Sequence, residues 1–415
     1  MSIPPQPPPS STSAFSVEAF RRQFAFFQER DIRWLDNAAT TQRPEPVLAA
    51  MDEFARLHNA NVRRGLNRLG AEATAAYEDA RATVAAFLGA ASPAEIIFTS
   101  GTTAGIHLAV EGLVRPLLHP GDQLWVTMAE HHSNFLPWAR TAQTTGAELH
   151  ILPLAADGRA DVDFFLAHAR PGHTPWLAAT WVSNVTGAQN PVPALADAVH
   201  RLGGRLFLDA SQGVPHHPVN VQAMGCDLLA FSGHKMYGPT GMGALWGRLE
   251  CLRQMQPVIL GGEMVDRVTE DSPPVWTDIP WRFEAGTPNV IGAVGLAAAI
   301  RFLTALPPAA HDHVRALSAA ARRDLLQIPG LRLWSLPDAH ALTTFTLPPI
   351  HPHDVAQILD SRQIAIRAGN LCAEPLLTRL GAGPVLRASF APYNQPGDVA
   401  ALIDALQTAR TLLAP

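Results

Sequence analysis

The stretch DLLAFSGHKMYGPTG, residues 227–241, carries the decisive reading of this chain. DLLAF (227–231) is a short apolar run and reads as a buried strand. SGHK (232–235) ends it in a glycine-containing turn. A lysine in that position stands at a sheet edge, where ligands bind in open α/β sheets. Burial beside a cofactor cation depresses a lysine pKa and leaves a free amine. Lys235 is also the only lysine, because the other thirty of the 31 basic residues are arginines. A guanidinium stays protonated and does not form a Schiff base under ordinary conditions. Any Schiff-base chemistry on a side-chain amine must therefore use Lys235. The competing reading is an ordinary surface lysine. Gly233, Gly238, Gly241 and Gly243 around it argue for a tight turn instead.

Working outward, strands and helices alternate. Apolar residues at helical spacing predict helices over 45–58, 71–90, 104–114 and 192–202. Strands are expected at 34–36, 95–100, 123–127, 148–152, 176–181, 205–209 and 227–231. Such alternation implies βαβ units, a mostly parallel sheet and an α/β fold class. Residues 271–288 are proline-rich and read as irregular, and 290–328 reads as helical. Strands at 342–347, 364–366 and 385–390, with helices at 352–361 and 396–413, make a smaller α+β domain. The division expected is a Pro/Ser-rich disordered tail (1–13), a segment packing with the small domain (14–33), a large domain (34–295) and a small C-terminal domain (296–415).

Composition narrows the function. With 47% hydrophobic residues and a formal charge of −5, nothing suggests a nucleic-acid partner. No apolar run reaches the roughly 20 residues that span a bilayer, and the N-terminus lacks a secretory pattern, so a cytoplasmic protein is expected. Three cysteines, with no CxxC pair, suggest neither a disulfide framework nor structural zinc.

Other residues bear on chemistry. Asp209 ends the apolar run RLFLD (205–209). A carboxylate there suits the pyridine nitrogen of pyridoxal 5′-phosphate (PLP), whose protonated ring acts as an electron sink. A turn-capping role is the alternative. Ser100-Gly101-Thr102-Thr103 opens a helix and reads either as an anion site or as a plain N-cap. His131-His132 follows a strand. Either imidazole could stack on a ring, and a metal site is disfavoured because no third ligand has suitable spacing. Cys226 and Cys251 read as core residues. Cys372, in RAGNLC (367–372), differs. It lies in a polar glycine-containing loop near Arg367 and Arg387 in sequence, and cationic neighbours favour the nucleophilic thiolate.

EHH (130–132), VSNVTGAQNP (182–191), LDASQ (208–212), FSGHKMYGPTG (231–241), WRFEAGTPN (281–289) and LRASFAPYN (386–394) together resemble the group II, SufS/CsdA-like, PLP-dependent cysteine desulfurases of the class V aminotransferase superfamily. The likeness runs from about residue 15 to the C-terminus. It implies the fold type I architecture, with a mostly parallel seven-stranded sheet flanked by helices on both faces, and a homodimer. It assigns Lys235 to the covalent cofactor linkage, His131 to ring stacking, Asp209 to the pyridinium and Gln212 to the phenolic oxygen. Thr102, Thr103, Ser232 and His234 would hold the phosphate, with Thr287 arriving from the second subunit. Asn184 and Arg387, with Arg367 beside them, would grip the substrate carboxylate.

Two departures stand out. The family commonly has RTGHHC or RTGQHC where this chain has RAGNLC, with Asn370 and Leu371. The family's AVHRG is here NVRRG, with Arg63 in place of histidine. The GNLC form and the proline-rich leader resemble desulfurases packaged in encapsulin shells. A protein nanocompartment is thus a second expected location, with the tail as its docking segment.

The expected activity is conversion of L-cysteine to L-alanine, with a persulfide on Cys372 passed to a SufE/SufU-like protein or a small thiol. Fe–S cluster assembly is one use of that sulfur. Rivals on the same fold are a selenocysteine lyase, a cysteine sulfinate desulfinase or a transaminase. A rival of another class is an inactive binding or cargo protein.

Overall fold

The structure, a computed structural model, describes residues 15–63 and 67–413. The tail expected over 1–13 lies outside the described residues. Seven strands form the central sheet: β1 (Ile96–Thr99), β2 (Gln123–Thr127), β3 (Glu148–Leu152), β4 (Trp176–Thr180), β5 (Arg205–Asp209), β6 (Leu228–Ser232) and β7 (Gly243–Gly247), in the order β1-β7-β6-β5-β4-β2-β3. Only β7 runs against the others. The C-terminal ends of β1, β2, β4, β5 and β6 therefore share one edge, the edge at which such sheets bind ligands.

Side-chain alternation explains why the sheet is buried twice. Ile97, Leu124, Val126, Trp176, Ala178, Phe207, Leu228 and Ala230 enter the core on one face. Their neighbours Ile96, Phe98, Trp125, Leu177, Ala179, Leu206, Leu208 and Leu229 enter the core on the other. A strand sandwiched between helix layers must be apolar at every position, which is what the short apolar runs encode. Each such large side chain contributes about 1.5–3 kcal/mol of burial. At the edge, β3 is half exposed, and Glu148 there meets Arg170 and His150. Charges of this kind discourage strand addition.

A second sheet of β10 (Arg332–Leu333), β11 (Leu342–Thr346), β13 (Val385–Ser389) and β12 (Arg367–Gly369), in that order, is antiparallel throughout. Helices Pro308–Leu325, Pro352–Ser361 and Pro396–Leu413 cover it around Phe345, Leu386, Leu359 and Leu402. Its register sets Arg367 directly opposite Arg387.

The structure differs from the sequence expectations at four places. GALWG (243–247) is a buried strand, unrecognised because it is five residues long and bounded by glycines. The stretch read as irregular contains a hairpin of β8 (Val265–Thr269) and β9 (Ser272–Trp276). Pro273 and Pro274 obscured it, and proline is tolerated because β9 has a single partner strand. Helix Val290–Thr304 runs through the boundary expected at 295/296, and Ala297, Ala299, Ile300 and Leu303 join the large-domain core. Finally, Phe20 and Phe24 of the N-terminal segment pack into that same core against Phe302, while the adjoining Arg33–Trp34 pairs with Ile364–Ala365 of the small domain. The segment thus joins both units rather than the small domain alone. No single helix among the described residues is long and apolar enough to cross a membrane.

Candidate active site

A cleft of about 630 Å³ opens at the shared strand edge and is roofed by the small domain. Its floor carries Lys235, three residues beyond the end of β6, and Asp209, the last residue of β5. Burial lowers the Lys235 pKa. Arg387 lowers it further, while Asp209 and Cys372 oppose the shift. Asp209 is buried, and its Oδ1 accepts a hydrogen bond from the Ser211 N–H at 2.9 Å. His131 borders the cleft at the N-cap of helix His132–Thr145, and its Nδ1 accepts from the Ser133 N–H at 3.1 Å. Burial, reinforced by Lys235, pushes its pKa down to about 4, so the ring is a neutral imidazole at neutral pH. The preceding residue, Glu130, is fully enclosed, and burial raises its pKa to about 8 although Thr127, Asn134 and the Thr180 N–H all donate to it.

In the lining of the cleft the chain builds a pocket of hydroxyls. Thr102 begins helix Thr102–Ala109. Its N–H donates to Ser232 Oγ at 2.8 Å, and its Oγ1 lies 2.8 Å from Ser211 Oγ and 2.7 Å from Ser232 Oγ. Thr103 Oγ1 meets Ser133 Oγ at 2.8 Å. Gly101, at φ 141°, brings the backbone against this cluster, and a Cβ there would stand 3.1 Å from Ser232 Oγ. His234 also borders the cleft, and burial pushes its pKa down to about 4. Gln212 is anchored by its Nε2 on the Ala38 carbonyl at 2.7 Å.

Two arginines also line the cleft. Arg387 is buried; its Nη1 donates to the Asn184 carbonyl at 3.0 Å and its Nη2 to Asp36 Oδ1 at 3.2 Å. Its Nε is buried and has no partner among the described residues. Arg367 stands 3.7 Å from Asp36 Oδ2. Burial raises the Asp36 pKa although both arginines pull it down.

Cys372 hangs over the cleft from the loop after β12 and is exposed, whereas Cys226 and Cys251 are buried. Burial pushes both of those thiols up to about 12, which leaves them unreactive. Leu371 and Cys372 have φ of 50° and 52°. The Leu371 side chain inserts among Ala129, Val185, Leu376 and Val385, and its carbonyl accepts from Asn184 Nδ2 at 2.9 Å.

Thus Lys235, Cys372, His131, Asp209, Gln212, Thr102, Thr103, Ser232, His234, Asn184, Arg387 and Arg367 all border one cleft. Thr287 does not; it is exposed, outside the cleft of its own chain. Arg63 lies elsewhere too. It pairs with Glu284 at 2.7 Å in a network that also holds Arg81 and Tyr77. Its replacement of histidine therefore feeds a buried ion cluster and not the cysteine loop of this chain. Sequence reasoning passed over Asp36, Ser133, Ser211, His351, His353 and Glu374, which also border or brace the cleft. Asp36 carried a signal, since it ends the short apolar run WL as Asp209 ends RLFL. Among the described residues no group of His, Cys, Asp and Glu is placed to hold a metal ion.

The donor set fits a phosphorylated aromatic aldehyde. A hydroxyl-and-amide pocket at a helix N-terminus suits the phosphate, an amine of lowered pKa suits the aldehyde, and a buried carboxylate suits a ring nitrogen.

Comparison with known proteins agrees. The class-V aminotransferase family matches residues 33–402. A probable cysteine desulfurase of Halalkalibacterium halodurans is 43% identical over 90% of this chain and 92% of its own. The cysteine desulfurase of Klebsiella pneumoniae strain 342 is 40% identical over 96% and 99%. The crystal structure of Escherichia coli CsdA, a cysteine desulfurase in S-sulfonic acid form, superposes with a TM-score of 0.91 at 40% identity, covering 97% of this chain and 100% of that one. A C-DES variant with glycine covalently linked to its PLP cofactor shares the fold at a TM-score of 0.79 and 21% identity, over 93% of this chain and 98% of that one. The chain belongs to the class-V aminotransferase family and, within it, to the cysteine desulfurases.

Proposed function

We propose that this protein converts L-cysteine to L-alanine with PLP as cofactor and leaves a persulfide on Cys372. The observation that carries the reading is the placement of one exposed thiol over a cleft whose floor holds the chain's only lysine. Bound PLP supplies an electron sink for the substrate carbanion. Asp209 would hold the ring nitrogen protonated, Gln212 would meet the phenolic oxygen, and the neutral His131 ring would stack on the cofactor. Thr102, Thr103, Ser232 and His234 would hold the phosphate. Arg387 and the Asn184 amide would receive the substrate carboxylate, with Arg367 beside them.

Lys235, an amine of lowered pKa, removes the Cα proton. Cys372 thiolate then attacks the substrate sulfur. An S–S bond forms, and the substrate Cβ–S bond breaks with its electron pair left on carbon. Sulfur is thereby oxidised and carbon reduced without an outside reagent. Protonation of the carbon fragment gives alanine. The persulfide passes to a protein acceptor or a small thiol, and Fe–S cluster assembly is one destination.

Two further parts of the reading concern assembly and place. Thr287 is exposed beside an apolar groove of Phe98, Leu108, Val258, Ile259 and Phe283. A two-fold partner covering that groove would carry Thr287 to the opposite phosphate site, so we assign a homodimer. We propose a cytoplasmic location, with residues 1–13 as the segment that would dock into an encapsulin shell.

The test is to incubate the PLP-loaded protein with L-cysteine and measure alanine and sulfide, with and without SufE- or SufU-like acceptors. Equimolar alanine and mobilised sulfur are expected. Alanine from selenocysteine or cysteine sulfinate but none from cysteine would overturn the reading.

A further inference from the structure

We infer that Glu374 is a positioning residue that clasps the Cys372 loop to the opposite wall of the cleft; the inference rests on the desulfurase reading above. Glu374 is the first residue of helix Glu374–Leu380, two positions after the thiol. Its carboxylate accepts from both sides. Asn370 Nδ2 donates to Oε1 at 3.1 Å, and His132 Nε2 meets Oε2. His132 belongs to the large domain and begins helix His132–Thr145. Its own backbone N–H donates to the Cys372 carbonyl at 2.8 Å.

One residue of the large domain therefore reaches the loop twice, once through its ring and once through its backbone. The second contact holds the peptide of the nucleophile itself. An exposed ion pair by itself contributes little. Here, however, the carboxylate joins two domains and closes the loop on itself through Asn370. The loop needs such restraint, because Leu371 and Cys372 both take left-handed backbone that side-chain-bearing residues disfavour. Attack on sulfur requires the thiol within bonding reach, and small misplacement of a reacting group is costly. The clasp therefore acts on turnover. Substrate capture belongs to Arg387 and Asn184, which Glu374 does not touch.

The test uses the full chain as PLP-loaded enzyme. Glu374→Ala should lower kcat for L-cysteine about tenfold and leave KM within about twofold. Hydrogen exchange at the His132 amide and at Leu371–Ala373 should speed several-fold, a readout independent of turnover. Glu374→Gln keeps an acceptor oxygen and should recover most of both effects. His132→Ala should match Glu374→Ala, and the double variant should be no worse than either, as expected for partners in one contact. Unchanged exchange in Glu374→Ala, or a raised KM with native kcat, overturns the clasp. If the wild-type enzyme forms no alanine from cysteine, the functional reading fails, and the exchange comparison still decides the clasp.

Discussion

On the floor of the cleft, Asp209 and Ser232 end strands that are buried almost throughout, and Lys235 follows within three residues. Over them, Cys372 hangs from one loop of the small domain, with left-handed backbone at Leu371 and Cys372 and a few hydrogen bonds to hold it. The floor is rigid because the sheet fixes it from both faces. The roof is placed by individual contacts. This difference divides the labour: the floor must keep cofactor atoms in one geometry, whereas the cysteine must meet a substrate inside and an acceptor outside.

The largest effect should come from the floor. Lys235→Ala removes the chain's only amine side chain, and alanine formation should drop by at least ~10³-fold. Borohydride reduction of the wild type, followed by peptide mapping, should place all phosphopyridoxyl label at residue 235. Label on another peptide would break the assignment.

Asp209→Ala should follow, with turnover down by ~10²-fold and weaker cofactor retention, because the ring nitrogen loses its partner. Near-native turnover in that variant would mean that the strand-end carboxylate only caps its turn.

Much of the floor was legible in the sequence, and much of the roof was not. Lys235, Asp209 and Thr102 each follow a short apolar run, and a run followed by a turn marks a strand end without knowledge of its neighbours. Asp36 obeys the same rule, yet its meaning depends on Arg387, 351 residues away, through a register that no local pattern reveals. The His132–Glu374 contact is equally remote. The hairpin at 265–276 was hidden because its prolines oppose the strand signal that its pairing satisfies. The resemblance, not the spacing, pointed to Thr287, whose proposed use would need a second chain.

Where floor and roof meet, His216, His217, His311 and His340 cluster, with ring centroids 5.4 to 6.4 Å from His340. Arg315 and Asp312 face them. Burial lowers all four pKa values, to about 4 for His217 and about 3 for His340. Unfolded histidines titrate near 6.5, so below that pH the unfolded chain binds more protons. Stability is therefore full above pH 6.5 and falls as the pH drops towards 4, by up to ~1.4 kcal/mol per pH unit for each of His216, His217 and His340, and by less for the half-exposed His311, where solvent screens the penalty. Urea midpoints at pH 7.5 and pH 5 should show this fall, and His340→Leu should shrink it. An identical pH dependence in that variant would remove the cluster as its cause.

The smallest effect sharpens the contrast among thiols. Cys226→Ala should cost about 1 kcal/mol from a small buried gap and leave kcat within about twofold. Urea denaturation and steady-state kinetics check both halves. A large kinetic loss would show that a buried thiol takes part.

The central claim is that the exposed Cys372, and neither buried cysteine, carries the sulfur. Mass spectrometry of peptides trapped by alkylation after addition of L-cysteine tests it most directly, with Cys372→Ser run in parallel. The wild type should gain one sulfur atom on the Cys372 peptide alone. The variant should still bind cofactor and cysteine but release no alanine. A variant that forms alanine at the wild-type rate, or sulfur found on Cys226 or Cys251, would contradict the account.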